Sequence, residues 1–182
     1  MMLERRSLLT SRQVSEASIS AQQLCLEHPL YASARSVALY SPISNEIATD
    51  VLMNESLGRG VAVYFPVVLE DRLVFRRVHG GADLECGKFG ICEPLASCEP
   101  ASPDAIDLFF VPGVAFDLSG RRIGFGKGFY DRSLHSLEGS GRLVGLCHDF
   151  QIVESIAGAP HDVQMDILIT DLRVIIPRGH FT

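Results

Sequence analysis

A glycine-rich segment at residues 121–131 contains the residue types that bind phosphate groups. It reads Arg-Arg-Ile-Gly-Phe-Gly-Lys-Gly-Phe-Tyr-Asp, so glycine occupies every second position from 124 to 128. Backbone that approaches a phosphate closely needs glycine, because a side chain would block the approach. Arg122 and Lys127 add positive charge, and Asp131 offers a hard oxygen ligand suited to magnesium. The segment therefore indicates a site for a phosphorylated ligand, and a glycine-rich turn with no such ligand is the alternative.

Two common nucleotide-binding loops do not fit this segment. The phosphate loop G-x-x-x-x-G-K-[ST] would need glycine at Arg121 and serine or threonine at Gly128. The dinucleotide pattern G-x-G-x-x-G would need glycine at Phe129. A phosphate site at this position must therefore be of another type.

The elements around the segment place it between a buried strand and a helix. Residues 108–111 form a short apolar run that predicts a buried strand, which Pro112 and Gly113 terminate. A turn is predicted at residues 117–120, and a helix from residue 130 to about 137. The first N–H groups of a helix and its dipole favour an anion, which agrees with a phosphate site.

Apolar runs alternate with helical patterns along the rest of the chain. Strands are predicted at 36–40, 61–65 (ended by Pro66), 142–147 and 167–170, with an edge strand at 174–176 and a hairpin-like excursion at 67–78. Helices are predicted at 3–9, from a capping box at Thr10 and Gln13 to residue 28, from Glu46 to about Gly58, and at 151–157, with loops at 89–94 and 99–104. This pattern predicts a single α/β domain over residues 1–182, a three-layer sandwich with a mostly parallel central sheet covered by helices on both faces.

Ligands in such folds gather beyond the carboxyl ends of the parallel strands. Three segments of the chain are predicted to lie there, namely residues 40–46, 110–131 and 147–151. We therefore expect these three segments to surround one site.

Composition excludes several classes of protein. The 182 residues are 47% apolar, and the net charge of −6 disfavours a nucleic-acid-binding surface, which is usually basic. No apolar run approaches the length of a membrane span, and the N-terminus shows no apolar core of an export signal. We therefore expect a cytoplasmic protein that contacts neither nucleic acid nor a membrane. Small-molecule partners and a monomeric or weakly dimeric state are further expectations that composition does not establish.

The five cysteines include no C-x-x-C pair. Cys86, Cys92 and Cys98 recur every six residues near His79, but this spacing does not match the short ligand pairs of zinc sites. The sequence therefore predicts reduced, partly buried thiols.

The central segments resemble a known family. The run Phe-Val-Pro-Gly-Val-Ala-Phe-Asp at 110–117, followed by residues 120–131, resembles the signature of the 5-formyltetrahydrofolate cyclo-ligases, also called methenyltetrahydrofolate synthetases. Shorter matches are residues 45–49, 90–94, Gln151, and 162–166 with Thr170. The resemblance extends in order from about Leu3 to Thr170, and only the long central motif is specific.

The resemblance implies a ligase of one-carbon metabolism that uses ATP and Mg²⁺. Its reaction would close 5-formyltetrahydrofolate to 5,10-methenyltetrahydrofolate, giving ADP and phosphate. A formamide oxygen is a poor leaving group, so the γ-phosphoryl of ATP would first be transferred to it, forming an iminium phosphate. Phosphoryl transfer needs positioning and charge neutralisation more than covalent help from the protein.

The resemblance also implies which residues form the site. Lys127 and Arg122 would be the catalytic groups, and Asp131 and Asp166 would hold magnesium. The ATP phosphates would contact Arg122, Ile123, Gly124, Phe125, Gly126, Lys127, Gly128, Phe129 and Tyr130, together with Arg5 and Arg6. The folate would contact Glu46, Tyr40, Phe125, Gly126, Lys127, Gly128 and Phe129.

Several of these residues have ordinary structural alternatives. Glu46 would bind the pterin through two N–H groups, or it would serve as an acidic residue in the first turn of a helix. Tyr40 would flank the pocket or pack in the core. Arg5 and Arg6 would contact ATP or form a solvated basic face. Gln151 and Glu93 have the weaker expectation of a loop position near the substrate.

Two positions depart from the family pattern. Family members usually carry Lys-x-x-x-Arg upstream of the pair aligned with Arg5 and Arg6, and this chain begins too late to include it. A misassigned start, substitution by Arg5 and Arg6, and weakened ATP binding are the three explanations. Phe129 stands where tyrosine is common, which removes a hydroxyl and keeps the ring.

Two other functions remain as alternatives on the same residues. One is a non-catalytic protein that binds folate or a nucleotide. The other is a ligase or kinase that acts on another small formamide or carboxylate. Fold alone does not separate these functions, because one fold hosts many activities.

Overall fold

The computed structural model of the chain describes residues 1–87, 90–135, 141–158 and 162–177. The helices are α1 (Met2–Ser7), α2 (Ser11–Glu27), α3 (Pro29–Ser33), α4 (Asp50–Gly58) and α5 (Phe129–Leu134). The strands are β1 (Ser36–Ala38), β2 (Ala62–Leu69), β3 (Arg72–Val78), β4 (Leu84–Cys86), β5 (Cys92–Pro94), β6 (Pro100–Ala101), β7 (Leu108–Val111), β8 (Ala115–Asp117), β9 (Arg122–Ile123), β10 (Arg142–Cys147), β11 (Ile152–Val153), β12 (Ile167–Thr170) and β13 (Val174–Ile175). Short 3₁₀ turns lie at Gly81–Asp83, Pro103–Ala105 and Asp149–Gln151.

An eight-stranded sheet forms the centre, in the order β13-β12-β10-β7-β1-β2-β3-β6. The five strands from β12 to β2 in this order pair in parallel, and β13, β3 and β6 add antiparallel edges. Two small sheets accompany it, β11-β8-β9 and β4-β5. The predicted α/β fold with a mostly parallel sheet is confirmed.

The central sheet is buried on both faces, which explains its continuously apolar strands. Along β7, Leu108 and Phe110 pack on one face, and Phe109 and Val111 pack on the other. Helices α2, α3 and α4 contribute to the first core, and α5 with strand β8 contributes to the second. The second face is therefore covered by one short helix and a small sheet as well as loops, with fewer helices than the sequence predicts.

The helix boundaries follow local sequence signals. Helix α2 begins with the predicted capping box, in which the Thr10 hydroxyl accepts the Gln13 N–H at 3.3 Å and the Gln13 side chain accepts the Thr10 N–H at 2.9 Å. It ends before Pro29, which begins α3. The short helix predicted at residues 3–9 is confirmed as α1.

Several boundaries differ from the prediction. Helix α4 begins at Asp50 and not at Glu46, and residues 149–151 form a 3₁₀ turn followed by β11, in place of the helix predicted at 151–157. Strand β2 continues through Pro66 to Leu69, because β1 pairs with β2 only as far as Tyr64 and leaves an open edge beyond it. Proline is tolerated where a strand has no partner on one side. Short strands β5 and β6 also lie in segments predicted as loops, and Phe89, the first residue of the loop predicted at 89–94, lies outside the described residues.

The cysteine prediction is wrong for one pair. Cys86 and Cys92 face each other in the β4–β5 ladder and form a disulfide, whereas Cys25, Cys98 and Cys147 are free thiols. The described residues contain no group of three or more His, Cys, Asp and Glu side chains arranged to hold a metal ion. None of the helices in the described part of the chain is both long and apolar enough to cross a membrane.

Candidate active site

A cavity of about 1130 Å³ opens at the carboxyl ends of the parallel strands. Tyr40 and Ser41 line it after β1, Ile43 and Glu46 from the next loop, and Pro112 after β7. Residues 122–132 form a continuous part of the wall, and Ile156, Ala157 and Asp162 complete it together with residues of the β2–β3 and β4–β5 hairpins. Two of the three segments predicted to surround a site therefore line this cavity. The third segment, residues 147–151, lies behind it.

The glycine-rich segment forms an open loop between β9 and α5. Gly126 and Gly128 adopt left-handed φ values of 80° and 63°, which glycine adopts without strain. Gly124 packs against Arg122, so a Cβ at residue 124 would lie 2.7 Å from the guanidinium. Within the described chain, no backbone N–H of residues 125–128 donates a hydrogen bond to another protein group. These donors are therefore available to a ligand, and the exposed Lys127 side chain lies among them.

Arg122 and Asp131 form a partly buried ion pair on the cavity wall. The Arg122 Nη2 atom lies 3.0 Å from both Asp131 carboxylate oxygens, and the Arg122 side chain is 5% exposed. Asp131 Oδ1 also accepts the Val163 N–H at 3.3 Å. The Arg122 Nε is buried without a hydrogen bond. Each charge therefore neutralises the other, and the buried Arg122 Nε donor is unused.

Glu46 lies in the loop before α4 and is 5% exposed. Its Oε2 atom accepts the Ile43 N–H at 3.0 Å, whereas its Oε1 atom is buried with no hydrogen bond. The nearest cation is Arg6, whose Nη2 lies 3.6 Å from Oε1. Because Asp50 occupies the first turn of α4, the alternative role of Glu46 as a first-turn acid is wrong. A buried carboxylate oxygen without a donor is expensive unless a ligand supplies one.

Burial raises the pKa of Glu46 to about 7, and the Ile43 N–H and Arg6 partly oppose this rise. Burial also raises the pKa of Tyr40 and Tyr130, and the nearby Glu46 charge raises both further. Tyr40 lines the cavity, but its hydroxyl donates to the Ile47 carbonyl at 2.7 Å. The Tyr40 ring can therefore contact a ligand, while its hydroxyl holds the loop that carries Glu46.

The two N-terminal arginines have different environments, and neither lines the cavity. Arg5 is exposed, and its guanidinium lies 4.4 Å from the centre of the Phe150 ring. Arg6 is 1% exposed, so the solvated basic face expected for both residues is wrong for Arg6.

Of Asp131 and Asp166, which are predicted to share magnesium, only Asp131 lines the cavity. Asp166 lies at the amino end of β12, where it accepts the Leu143 N–H at 2.7 Å and an Arg142 N–H at 3.1 Å. It does not line the cavity, whereas Asp162 does. The spacing of the family motif gives no information on which carboxylate lines the cavity, and the magnesium role of Asp166 stays a prediction.

Arg132 lines the cavity and was missed by sequence reasoning. Its Nη2 donates to the Lys127 carbonyl at 2.8 Å, and its Nε donates to the Asp71 carbonyl at 2.8 Å. It therefore ties the glycine-rich loop to the turn of the β2–β3 hairpin. No local pattern marks this role, because both partners are carbonyl groups.

Gln151 and Glu93, both expected at loop positions near the substrate, differ in where they lie. Gln151 is buried and donates to the Gly113 and Val114 carbonyls at 2.8 Å and 3.0 Å, so it supports the wall and does not line the cavity. Glu93 lines the cavity from β5. The expectation of a substrate-side position therefore fits Glu93 and not Gln151.

The fold and the cavity define an α/β protein with a small-molecule site at the carboxyl ends of its parallel strands. The chain matches the 5-formyltetrahydrofolate cyclo-ligase family over residues 1–171. The chain therefore belongs to that family.

Relatives of known name agree over nearly the whole chain. The 5-formyltetrahydrofolate cyclo-ligase of Escherichia coli is 30% identical over 179 residues, covering 96% of this chain and 98% of the relative. The cyclo-ligase of Haemophilus influenzae is 34% identical over 170 residues, covering 90% of this chain and 91% of the relative.

Solved structures agree as well. The 5,10-methenyltetrahydrofolate synthetase of Aquifex aeolicus superposes with a TM-score of 0.86 at 34% identity, covering 100% of this chain and 91% of the other. The synthetase of Mycoplasma pneumoniae superposes with a TM-score of 0.76 at 27% identity, covering 93% and 94%.

Proposed function

We propose that the chain catalyses ATP-dependent closure of 5-formyltetrahydrofolate to 5,10-methenyltetrahydrofolate, with release of ADP and phosphate. One observation carries this proposal. A single cavity contains both a loop with free backbone N–H groups and Lys127, and a buried Glu46 oxygen that has no hydrogen bond. The first feature suits a polyphosphate and the second suits a ligand with N–H donors.

The proposed reaction has two steps on the substrate. The formyl oxygen attacks the γ-phosphorus of ATP, and the bond from that phosphorus to ADP breaks. N10 of the folate then attacks the activated formyl carbon and loses its proton, and phosphate leaves with the electrons of the C–O bond. One ATP is consumed for each ring that closes. The chain supports the phosphoryl transfer by positioning the substrates and by neutralising charge.

The glycine-rich loop would hold the transferring phosphoryl group. Its amides at residues 125–128 need acceptors, and phosphate oxygens provide them. Lys127 is exposed beside these amides and would neutralise the charge that develops on the γ-phosphoryl. Arg122, with its unused Nε, would face the same group from the cavity wall.

We expect magnesium to bind together with ATP, and not as an ion that the protein holds on its own. Magnesium is usually held by one or two carboxylates together with substrate phosphates and waters. Asp131 and Asp162 both line the cavity and are the side chains that would hold it. The bound ion would neutralise charge on the phosphate oxygens.

The pterin of the folate would meet Glu46. A carboxylate can accept two parallel N–H bonds, and Glu46 Oε1 has none. Phe125 and Phe129 line the same cavity and provide apolar surface for the rest of the substrate.

Mixing the purified chain with 5-formyltetrahydrofolate and MgATP should produce the near-UV absorbance of the methenyl product. The increase should require ATP, and EDTA should abolish it. Binding of both ligands without any product would contradict the proposal and favour the non-catalytic alternative.

A pair of variants tests which carboxylate serves the metal. Asp131→Asn should raise the magnesium concentration for half-maximal activity about ten-fold or more, because Asp131 lines the cavity. Asp166→Asn should keep the normal magnesium requirement and lose roughly 1–2 kcal/mol of stability, since Asp166 accepts two internal hydrogen bonds.

Magnesium titrations at fixed ATP and thermal melts provide these two readouts. An equal rise in the magnesium requirement of both variants would mean that Asp166 also binds the metal.

A further inference from the structure

Helix α1 places the buried guanidinium of Arg6 against the loop that contains Glu46. Arg6 Nε donates to the Ser44 carbonyl at 2.7 Å, and Nη1 donates to the Gly113 carbonyl at 3.1 Å. Asn45 fixes the helix in turn, because its side chain donates to the carbonyls of Arg6 at 3.0 Å and Leu9 at 3.3 Å. Arg6 is therefore held in one orientation by two carbonyls from two loops.

The third nitrogen of Arg6 has a different environment. Nη2 lies 3.6 Å from Glu46 Oε1, and neither atom makes a hydrogen bond. The pair attracts by charge alone, while the hydrogen-bonding capacity of Oε1 remains unused. Removing two charges from water costs several kcal/mol per ion, so a buried pair is weak evidence for a role in stability.

We propose that Arg6 is a positioning residue for reduced-folate binding, which acts through Glu46 by holding its carboxylate toward the cavity with Oε1 free for the substrate's N–H groups. This proposal rests on the proposed function, in which Glu46 is the folate ligand. Arg6 itself does not line the cavity and is not expected to contact either substrate.

The charges around Glu46 support this role. Arg6 faces it from α1, Tyr40 from the end of β1 and Tyr130 from α5, and the two phenols carry no charge near neutral pH because burial raises their pKa. The His148 ring bonds the Asn45 carbonyl at 2.9 Å, and burial lowers the pKa of His148, so that ring is neutral. Arg6 is therefore the opposing charge that lowers the Glu46 pKa.

The direction of the pH dependence follows from this arrangement. Burial raises the pKa of Glu46 to about 7, so its carboxylate form increases as the pH rises through 7. Folate affinity should increase over the same range. Without Arg6 the Glu46 pKa would rise further, so the increase in affinity would move to higher pH. The raised pKa also implies that the stability contributed by protonated Glu46 is lost as the pH rises through about 7.

The test measures the dissociation constant of 5-formyltetrahydrofolate by calorimetry from pH 6 to 9. Wild type, Arg6→Met and Arg6→Lys are compared, and Arg12→Met is the control because Arg12 is an exposed arginine of α2 that does not line the cavity. Arg6→Met should weaken folate binding about 10- to 100-fold at pH 7 and move the profile up by about one unit, the loss expected for a charge-assisted contact. The folate affinity of Arg6→Lys should fall between those of wild type and Arg6→Met, because lysine keeps the positive charge and loses the planar array of guanidinium N–H donors.

Two further measurements separate a positioning role from a general structural one. ATP affinity should change less than two-fold in Arg6→Met. In a Glu46→Gln background, Arg6→Met should cause no additional loss of folate affinity, because its target is already absent. If Arg6→Met does not fold, Arg6→Lys carries the same comparison.

The outcomes distinguish this proposal from the function it rests on. A wild-type chain that gives no methenyl product overturns the proposed function. If wild type forms the methenyl product and the folate affinity of Arg6→Met has the same pH dependence as that of wild type, only the proposed role of Arg6 is overturned. Equal losses of ATP and folate affinity in Arg6→Met would also overturn it, because they would indicate a structural role.

Discussion

Replacing Lys127 by alanine should lower kcat about a thousand-fold, in the range found when one donor to a transition-state charge is removed. The melting temperature should change little. Lys127 is exposed, and within the described chain its ammonium makes no hydrogen bond or ion pair, so the folded state loses no contact. The loss of rate should therefore report on the reaction and not on folding. Steady-state kinetics with 5-formyltetrahydrofolate and MgATP, together with a thermal melt, measure both quantities.

Two control variants sharpen this prediction. Arg12→Ala removes an exposed cation that pairs with Glu16 at 2.7 Å on α2, and its kcat should equal that of wild type. Lys127→Arg keeps the charge and should retain more activity than alanine, though less than wild type, because a guanidinium fork does not reproduce a compact ammonium. A near-normal rate in Lys127→Ala would remove Lys127 from the phosphoryl-transfer step.

The parts of the fold that the sequence predicts well are those fixed by local patterns. Strands β10 and β12 have the predicted boundaries because both faces of each strand are buried, which requires a continuous apolar run. The capping box of α2 is equally local, since Thr10 and Gln13 satisfy each other. In these cases the residues that determine the structure are neighbours in the chain.

The errors occur where the partner is distant in sequence. Pro66 ends a strand only if both sides of that strand are paired, and this depends on where β1 stops. Asp166 occupies a motif position, but its role depends on which end of β12 faces the cavity. Both facts belong to the sheet topology and have no local signal.

The candidate site shows the same division. The glycine-rich loop is evident from the sequence, because left-handed turns and close approach of the backbone to a ligand favour glycine. The Arg6–Glu46 pair is not evident, since 40 residues separate its members and α1 alone suggests a surface helix. The charge beside Glu46 is therefore evident only from the tertiary structure, which places α1 against the loop.

Replacing Glu46 by glutamine should raise the folate KM about 100-fold, with the ATP KM changed less than about three-fold. The variant replaces a charged carboxylate with two acceptor oxygens by a neutral amide that has one acceptor oxygen and an NH2 donor. A hydrogen bond to a charged group is worth about 1.5–3 kcal/mol. The ATP KM is the internal control, because ATP contacts are proposed at the loop of residues 125–128 and not at Glu46. Steady-state titrations of each substrate at saturating amounts of the other measure the two values.

The stability of this variant must be measured beside its kinetics, because Arg6 would keep its two carbonyl acceptors and lose the opposing charge. Because the raised pKa makes wild type lose stability as the pH rises through about 7, and glutamine does not titrate, the melting temperature of the variant should rise relative to that of wild type between pH 6 and pH 8. Asp50→Asn is the matched control, since Asp50 is an exposed acid four residues away that lies outside the cavity. Equal increases in both KM values for Glu46→Gln would mean that Glu46 supports the fold of the site and does not bind the pterin, and the proposed position of the folate would then be wrong.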